Sequence, residues 1–162
     1  MHPANKWLIG AASVALIGSV TMLEGVKFKP YTDLAGIPTV CSGYTGPGID
    51  KNKTYSAEEC NAFTRKELVT HGNGVLKCIN KPLSELEYNA FTLFAYNIGV
   101  GAFCSSRTAK LFNEGRTKDA CYAIAYTPNN QPNWSFVDGK FVQGLHNRRQ
   151  YEMRMCLGAT SN

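Results

Sequence analysis

The chain is 162 residues long, with hydrophobic residues at 44% and charged residues at 18%. That composition fits one domain of ordinary size, in one or two lobes, and excludes bulk disorder. Seventeen Lys plus Arg against twelve Asp plus Glu leave +5. The excess is spread without a run of like charge, which excludes a dedicated nucleic-acid arm and suits a partner that is anionic on average, such as a cell envelope.

Lys6 and Glu24 bracket seventeen residues without a charge, 7–23, of which nine are strongly apolar. As a helix this stretch reaches roughly 25 Å, against a hydrocarbon core of about 30 Å. Gly10 and Gly18 weaken it further. It reads as a cleaved signal peptide, as a buried helix of the soluble fold, or as a loosely held membrane span. A cleavage site near Ser13 or Ala15 leaves an apolar run of only about six residues, too short for a signal peptide. The span is the favoured reading. His2, Lys6 and the amino terminus then stay cytoplasmic, and the rest of the chain lies outside.

Residues 30–55 are dense in Gly and Pro, with short extended runs such as 37–40, which predicts a small antiparallel sheet. Ser56 with Glu59 forms a capping box that opens a helix, which Gly72 and Gly74 are expected to end or interrupt. Ser84 with Glu87 is a second capping box. Phe91, Phe94, Ala95 and Ile98 follow at helical spacing, so this helix is central, and Gly99 and Gly101 close it. Further helices are expected over 105–115, with Gly115 as its cap, and over 117–125. A loop over 127–133 precedes a hairpin turning at Asp138-Gly139, and a last helix covers about 144–157. The class is α+β.

The six cysteines stand at 41, 60, 78, 104, 121 and 156. None is spaced for a zinc knuckle or a redox CxxC pair, so no metal or cofactor is expected. Three disulfides in an oxidising compartment are favoured over buried thiols, and fifteen pairings are open. The span places all six cysteines outside the cytoplasm, where disulfides form.

Glu24 ends the apolar stretch, Asp33 follows nine residues later and Thr39 six after that. Apolar Met22, Leu23, Val26 and Phe28 flank Glu24, and a helix end sets negative dipole charge beside it. Both are surroundings that keep a carboxyl protonated. Asp33 sits in polar, turn-like sequence that favours ionisation. A carboxyl acid paired with a second carboxylate is what glycosidic hydrolysis requires, and a threonine hydroxyl can hold a water. As bare spacing the signal is weak, and a helix-capping glutamate and a turn aspartate are the favoured explanation.

The pattern E-x8-D-x5-T, with Gly25 after the glutamate and Tyr31 two before the aspartate, resembles the phage lysozyme family of the T4-lysozyme type. The resemblance continues through YSAEEC, PLSELEYNAFTLFAYNIGVGAF, LFNEGRTKDAC and GLHNRRQYEMRMCL, covering nearly the whole chain from Glu24 to Leu157. Within the family the chain looks like the signal-arrest-release endolysins, whose weakly hydrophobic N-terminal span leaves the membrane. The resemblance implies a lysozyme-like fold with a small antiparallel β lobe and a larger, mostly helical lobe. It implies residues 1–23 as the signal-arrest-release helix and 24–162 as the muramidase domain.

The implied activity is hydrolysis of the bond between N-acetylmuramic acid and N-acetylglucosamine in peptidoglycan, for host cell lysis. Glu24 would be the general acid, while Asp33 and Thr39 would position and activate water. The family is inverting, which calls for carboxyls about 6.5–9.5 Å apart. Alternatives are a lytic transglycosylase and a catalytically silent, envelope-anchored murein-binding module. Both are disfavoured by the intact set of three. Some relatives carry a regulatory cysteine in place of the aspartate, and Asp33 implies that this switch is absent. Pro38 and Tyr44 depart from the aromatic residue and the histidine common in relatives, and Pro38 implies an edge strand.

By the same resemblance, Arg148 or Arg149 pairs with Glu24 or a neighbouring carboxylate. Phe94, Tyr96 and Trp134 are candidate glycan contacts, although packing is the favoured reading for each of them. His71 and His146 read as surface residues. The expected pairings are Cys41–Cys60 in the small lobe, Cys78–Cys104 flanking the central helix, and Cys121–Cys156 in the large lobe. The partners expected are peptidoglycan and, through the N-terminal helix, the inner membrane. The chain is expected to be a monomer, first tethered and then free in the periplasm.

Overall fold

A computed structural model describes residues 1–159. The chain forms two compact units, Ala12–Thr70 and Met1–Ala11 with the chain from His71 on. The smaller unit opens with helix α1, Val14–Glu24. The Ser13 hydroxyl caps it by accepting from the Leu16 N–H at 3.1 Å. Gly25, at φ 71°, ends it, a conformation that costs glycine least. Strands β1, Lys27–Thr32, and β2, Pro38–Cys41, then pair antiparallel, Tyr31 opposite Thr39 and Thr32 opposite Pro38. Pro38 opens β2 on a two-stranded sheet, where its missing N–H breaks no ladder.

Val40, Cys41, Tyr44, Tyr55 and Cys60 form the core of this unit, with Val26, Ile49 and Phe63 packed against it. Tyr44 stacks on Phe63 with ring centroids 4.2 Å apart. The Cys41–Cys60 disulfide ties β2 to helix α2, Ala57–Cys78. The Ser56 hydroxyl accepts from the Glu59 N–H at 3.1 Å, and the Glu59 carboxylate accepts from the Ser56 N–H at 2.9 Å. This reciprocal capping box starts α2.

The 7–23 block is not one helix, contrary to the expectation. A 3-10 helix, Pro3–Leu8, ends at Ile9, and α1 starts only at Val14. Gly10 is left-handed at φ 72°, and Ser13 spends its hydroxyl on a cap. Among the described residues no helix is long and apolar enough to cross a membrane.

The larger unit holds α3 (Glu85–Ile98), α4 (Val100–Cys104), α5 (Arg107–Asn113), α6 (Thr117–Ala125), the hairpin β3 (Phe136–Val137) and β4 (Lys140–Phe141), and α7 (Gln143–Cys156). The Ser84–Glu87 capping box opens α3. Tyr88, Phe91 and Phe94 on α3 are core residues, packed with Phe103, Phe112 and Ile124. Cys78–Cys104 and Cys121–Cys156 close the remaining disulfides. Asp138 and Gly139 both have positive φ, the type I′ turn that fits a two-residue hairpin.

Three expectations need correction here. Gly72 and Gly74 do not break α2, which runs on to Cys78. A Cβ at Gly72 would lie 2.0 Å from the Tyr88 hydroxyl, and one at Gly74 would lie 2.6 Å from Val100. These glycines therefore permit close packing within a continuous helix. Gly101 does not close α3; Gly99 does, at φ 90°, and Gly101 lies inside the short helix α4. His146 is buried rather than superficial, between the rings of Tyr126 and Phe141, with Nδ1 3.3 Å from the Ser135 hydroxyl.

Candidate active site

Glu24 is the last residue of α1, so its carboxyl stands at the negative end of the helix dipole. The side chain is exposed. Its apolar neighbours do not enclose it as the sequence suggested, since Met22 is 62% exposed and Phe28 is exposed as well.

Asp33 begins the turn that joins β1 to β2. Its Oδ1 accepts from the Ala35 N–H at 2.9 Å and from the Ile37 N–H at 2.8 Å. Its own N–H donates to the Ile37 carbonyl, and its carbonyl accepts from the Gly36 N–H, both at 3.0 Å. Gly36, at φ 80°, supplies the left-handed residue that the turn needs. Both side-chain bonds go to Oδ1, so the turn orients the carboxylate without consuming Oδ2.

Thr39 lies on β2 and is buried. Its hydroxyl donates to the Ile37 carbonyl at 3.0 Å. The proton is thereby directed to the backbone, and the oxygen lone pairs stay available to accept from a water. Ile37 is the shared element: its N–H holds the Asp33 carboxylate and its carbonyl holds the Thr39 hydroxyl. The spacing suggested Asp33 and Thr39 individually, but not that the backbone of one residue orients both.

A mostly apolar groove of about 890 Å³ runs between α1 and α2, lined by Val14, Ile17, Gly18 and Thr21 on one side and Asn61 and Arg65 among others on the second. Neither Glu24, Asp33 nor Thr39 lines it. Among the described residues no cluster of three His, Cys, Asp or Glu side chains could hold a metal ion.

In the larger unit, Phe94 is fully buried, which removes it as a glycan contact. It packs edge-on against Trp134 at 5.7 Å and beneath the Arg149 guanidinium at 5.0 Å. Tyr96 is half-buried beside His71, with centroids 5.1 Å apart. Trp134 is 37% exposed and has φ 51°, unusual for a bulky side chain.

Arg148 Nε and Arg149 Nη2 donate to the same Glu152 oxygen, at 3.1 and 2.9 Å. All three side chains are buried. Glu152 escaped the sequence reading, although its i+4 and i+3 spacing from the arginines was the available signal. Burial pushes its carboxyl up to about 7, against the pull of Arg149 and Arg148.

Residues 21–152 match the family model described as phage lysozyme. A SAR-endolysin of Pseudomonas phage phiKMV is 39% identical over 158 residues, which cover 97% of this chain and 95% of that one. A SAR-endolysin of Bacteriophage PS119 is 36% identical over 151 residues, 92% of this chain and 86% of that one. Among solved structures, an endolysin from Escherichia coli O157:H7 phage FAHEc1 superposes with a TM-score of 0.78 at 26% identity, over 94% of this chain and 96% of the other. The muramidase domain of SpmX from Asticaccaulis excentricus shares the fold, with a TM-score of 0.79 at 24% identity over 91% and 97% of the two chains. The chain therefore belongs to the phage lysozyme family and is a peptidoglycan hydrolase.

Proposed function

We propose that the chain is a signal-arrest-release endolysin that hydrolyses the β-1,4 bond between N-acetylmuramic acid and N-acetylglucosamine. Glu24 gives its proton to the leaving glycosidic oxygen. A water donates one hydrogen bond to the Thr39 hydroxyl oxygen and passes its proton to Asp33 Oδ2 as its oxygen attacks the anomeric carbon. Attack from the face opposite the leaving group inverts that centre. The observation that carries this reading is the backbone of Ile37, whose N–H and carbonyl hold Asp33 and Thr39 on the hairpin that follows Glu24. Bound glycan supplies the dry surroundings that the exposed Glu24 carboxyl lacks in the free enzyme.

The same reading has residues 7–23 synthesised into the inner membrane with the N-terminus cytoplasmic, and then released to the periplasm, where the monomer acts. It is supported by the charge-free block, by its glycines and by the SAR-endolysin relatives.

Digestion of purified murein tests the chemistry. Removal of the general acid in Glu24→Gln lowers the rate by roughly 10²–10⁴-fold, and the parent leaves reducing ends. Undiminished clearing by Glu24→Gln removes Glu24 from the mechanism, and 1,6-anhydro products replace hydrolysis with transglycosylation.

A further inference from the structure

The larger unit carries a small polar pocket of about 170 Å³, lined by Arg107, Asp119, Tyr122, Tyr126, Thr127 and Asn130 among others. Arg107 is the first residue of α5 and is exposed. Among the described residues its guanidinium makes no ion pair and no hydrogen bond. Asp119 lies in the first turn of α6, and its Oδ2 accepts from Arg116 Nε at 2.9 Å and Nη2 at 2.8 Å. Its Oδ1 is not engaged among the described residues. Two opposite charges thus line one pocket without neutralising each other.

The rest of the wall is held in place. The Tyr126 hydroxyl accepts from Gln150 Nε2 at 2.9 Å, and its ring meets His146 edge-on at 5.6 Å. The loop after α6 closes on itself. The Thr127 N–H donates to the Gln131 carbonyl at 2.8 Å, and the Asn130 N–H donates to the Thr127 carbonyl at 2.9 Å. Tyr122, in contrast, leaves a large ring 51% exposed. The volume lies below the roughly 300–1,000 Å³ of clefts that enclose a drug-sized molecule. The pocket therefore takes one small group and not a disaccharide.

We propose that this pocket is a subsite for the stem peptide of murein and binds a zwitterionic amino-acid centre, such as the free end of meso-diaminopimelate. The carboxylate pairs with Arg107, whose planar guanidinium gives two parallel N–H bonds. The ammonium donates to Asp119 Oδ1, and the alkyl chain lies on the Tyr122 ring. Cross-linking acylates that ammonium and removes its charge, so the pocket favours stems that are not cross-linked. The inference rests on the peptidoglycan-hydrolase reading, because the stem peptide belongs to that substrate, and it gives the pocket no part in bond cleavage.

The parent, Arg107→Ala, Asp119→Asn and Tyr122→Ala are assayed on murein containing meso-diaminopimelate and on the same glycan stripped of its peptides by an amidase. All three positions are exposed, and the urea midpoint checks that each variant keeps the fold; where one loses it, the other two decide. On intact murein KM is expected to rise about three- to tenfold in each variant with kcat unchanged, the scale of one exposed or sheltered charge-assisted contact. On stripped glycan the variants match the parent, whose own KM is already raised there. Asp119→Asn separates the subsite from bulk attraction, because removing a negative charge lowers KM if attraction to an anionic polymer is all that acts. A lower KM for Asp119→Asn, variants equal to the parent on intact murein, or equal losses on both substrates overturn the subsite. A parent that cleaves neither substrate overturns the muramidase reading itself.

Discussion

The backbone of Ile37 and the Glu152 carboxyl show how single residues are set by their surroundings. Asp33 and Thr39 are polar residues whose orientations follow from backbone bonds made two to four positions away. Their spacing was legible because the turn that orients them is local. Glu152 differs, since its character comes from burial among α-helical neighbours. Its folded pKa of about 7 lies above the usual 4.5, so the folded protein binds more protons than the unfolded chain between those values. Stability from this group is therefore greatest below about pH 4.5, declines as pH rises through 7 and then levels, by about 3 kcal/mol in all. Thermal unfolding followed from pH 4 to 8 should show the parent losing ground to Glu152→Gln across that window, because the amide does not titrate. A constant difference between the two would mean that the carboxyl ionises as usual within its arginine pair.

At the scale of elements, caps were readable and close approaches between helices were not. The boxes at Ser56–Glu59 and Ser84–Glu87 need only residues three apart. The end of α5 is a Schellman motif, with the Arg116 N–H on the Leu111 carbonyl and the Gly115 N–H on Phe112. Gly72 and Gly74 are misleading for a reason no window reveals: their missing Cβ atoms make room for Tyr88 and Val100. Alanine at 72 would gain about 1 kcal/mol in helix propensity. It would also drive a methyl group into a Tyr88 hydroxyl that is buried and committed to Ala11. Overpacking of that kind costs about 1–3 kcal/mol, so Gly72→Ala should lower the urea midpoint. A midpoint equal to or above the parent's would show that Tyr88 can move aside.

For the whole molecule, three disulfides divide the work of holding the chain. One ties the sheet of the smaller unit to α2, and two lie within the larger unit. Cys121–Cys156 joins α6 to α7 across a separation of 35 residues. A loop of that length implies a stabilisation of about 3–4 kcal/mol through the unfolded state. The double variant Cys121→Ser, Cys156→Ser should unfold at correspondingly lower urea, with Cys41–Cys60 still intact by mass. An unchanged midpoint would mean that packing between α6 and α7 carries the stability alone.

Sequence by itself determined the α+β class, the capped helices, the hairpin turns and the candidate set Glu24, Asp33 and Thr39. All of these rest on interactions between residues close in the chain, or on motifs whose order a linear reading preserves. Tertiary structure alone decided that Gly72 and Gly74 pack rather than break, that His146 is buried, that Glu152 binds both arginines, and that the apolar block is broken at Gly10. Each depends on a partner distant in the chain or on removal from water. The N-terminal segment is the clearest case: its composition alone reads as a weakly apolar helix, while Lys81, Leu83 and Tyr88, more than seventy residues on, set its folded course.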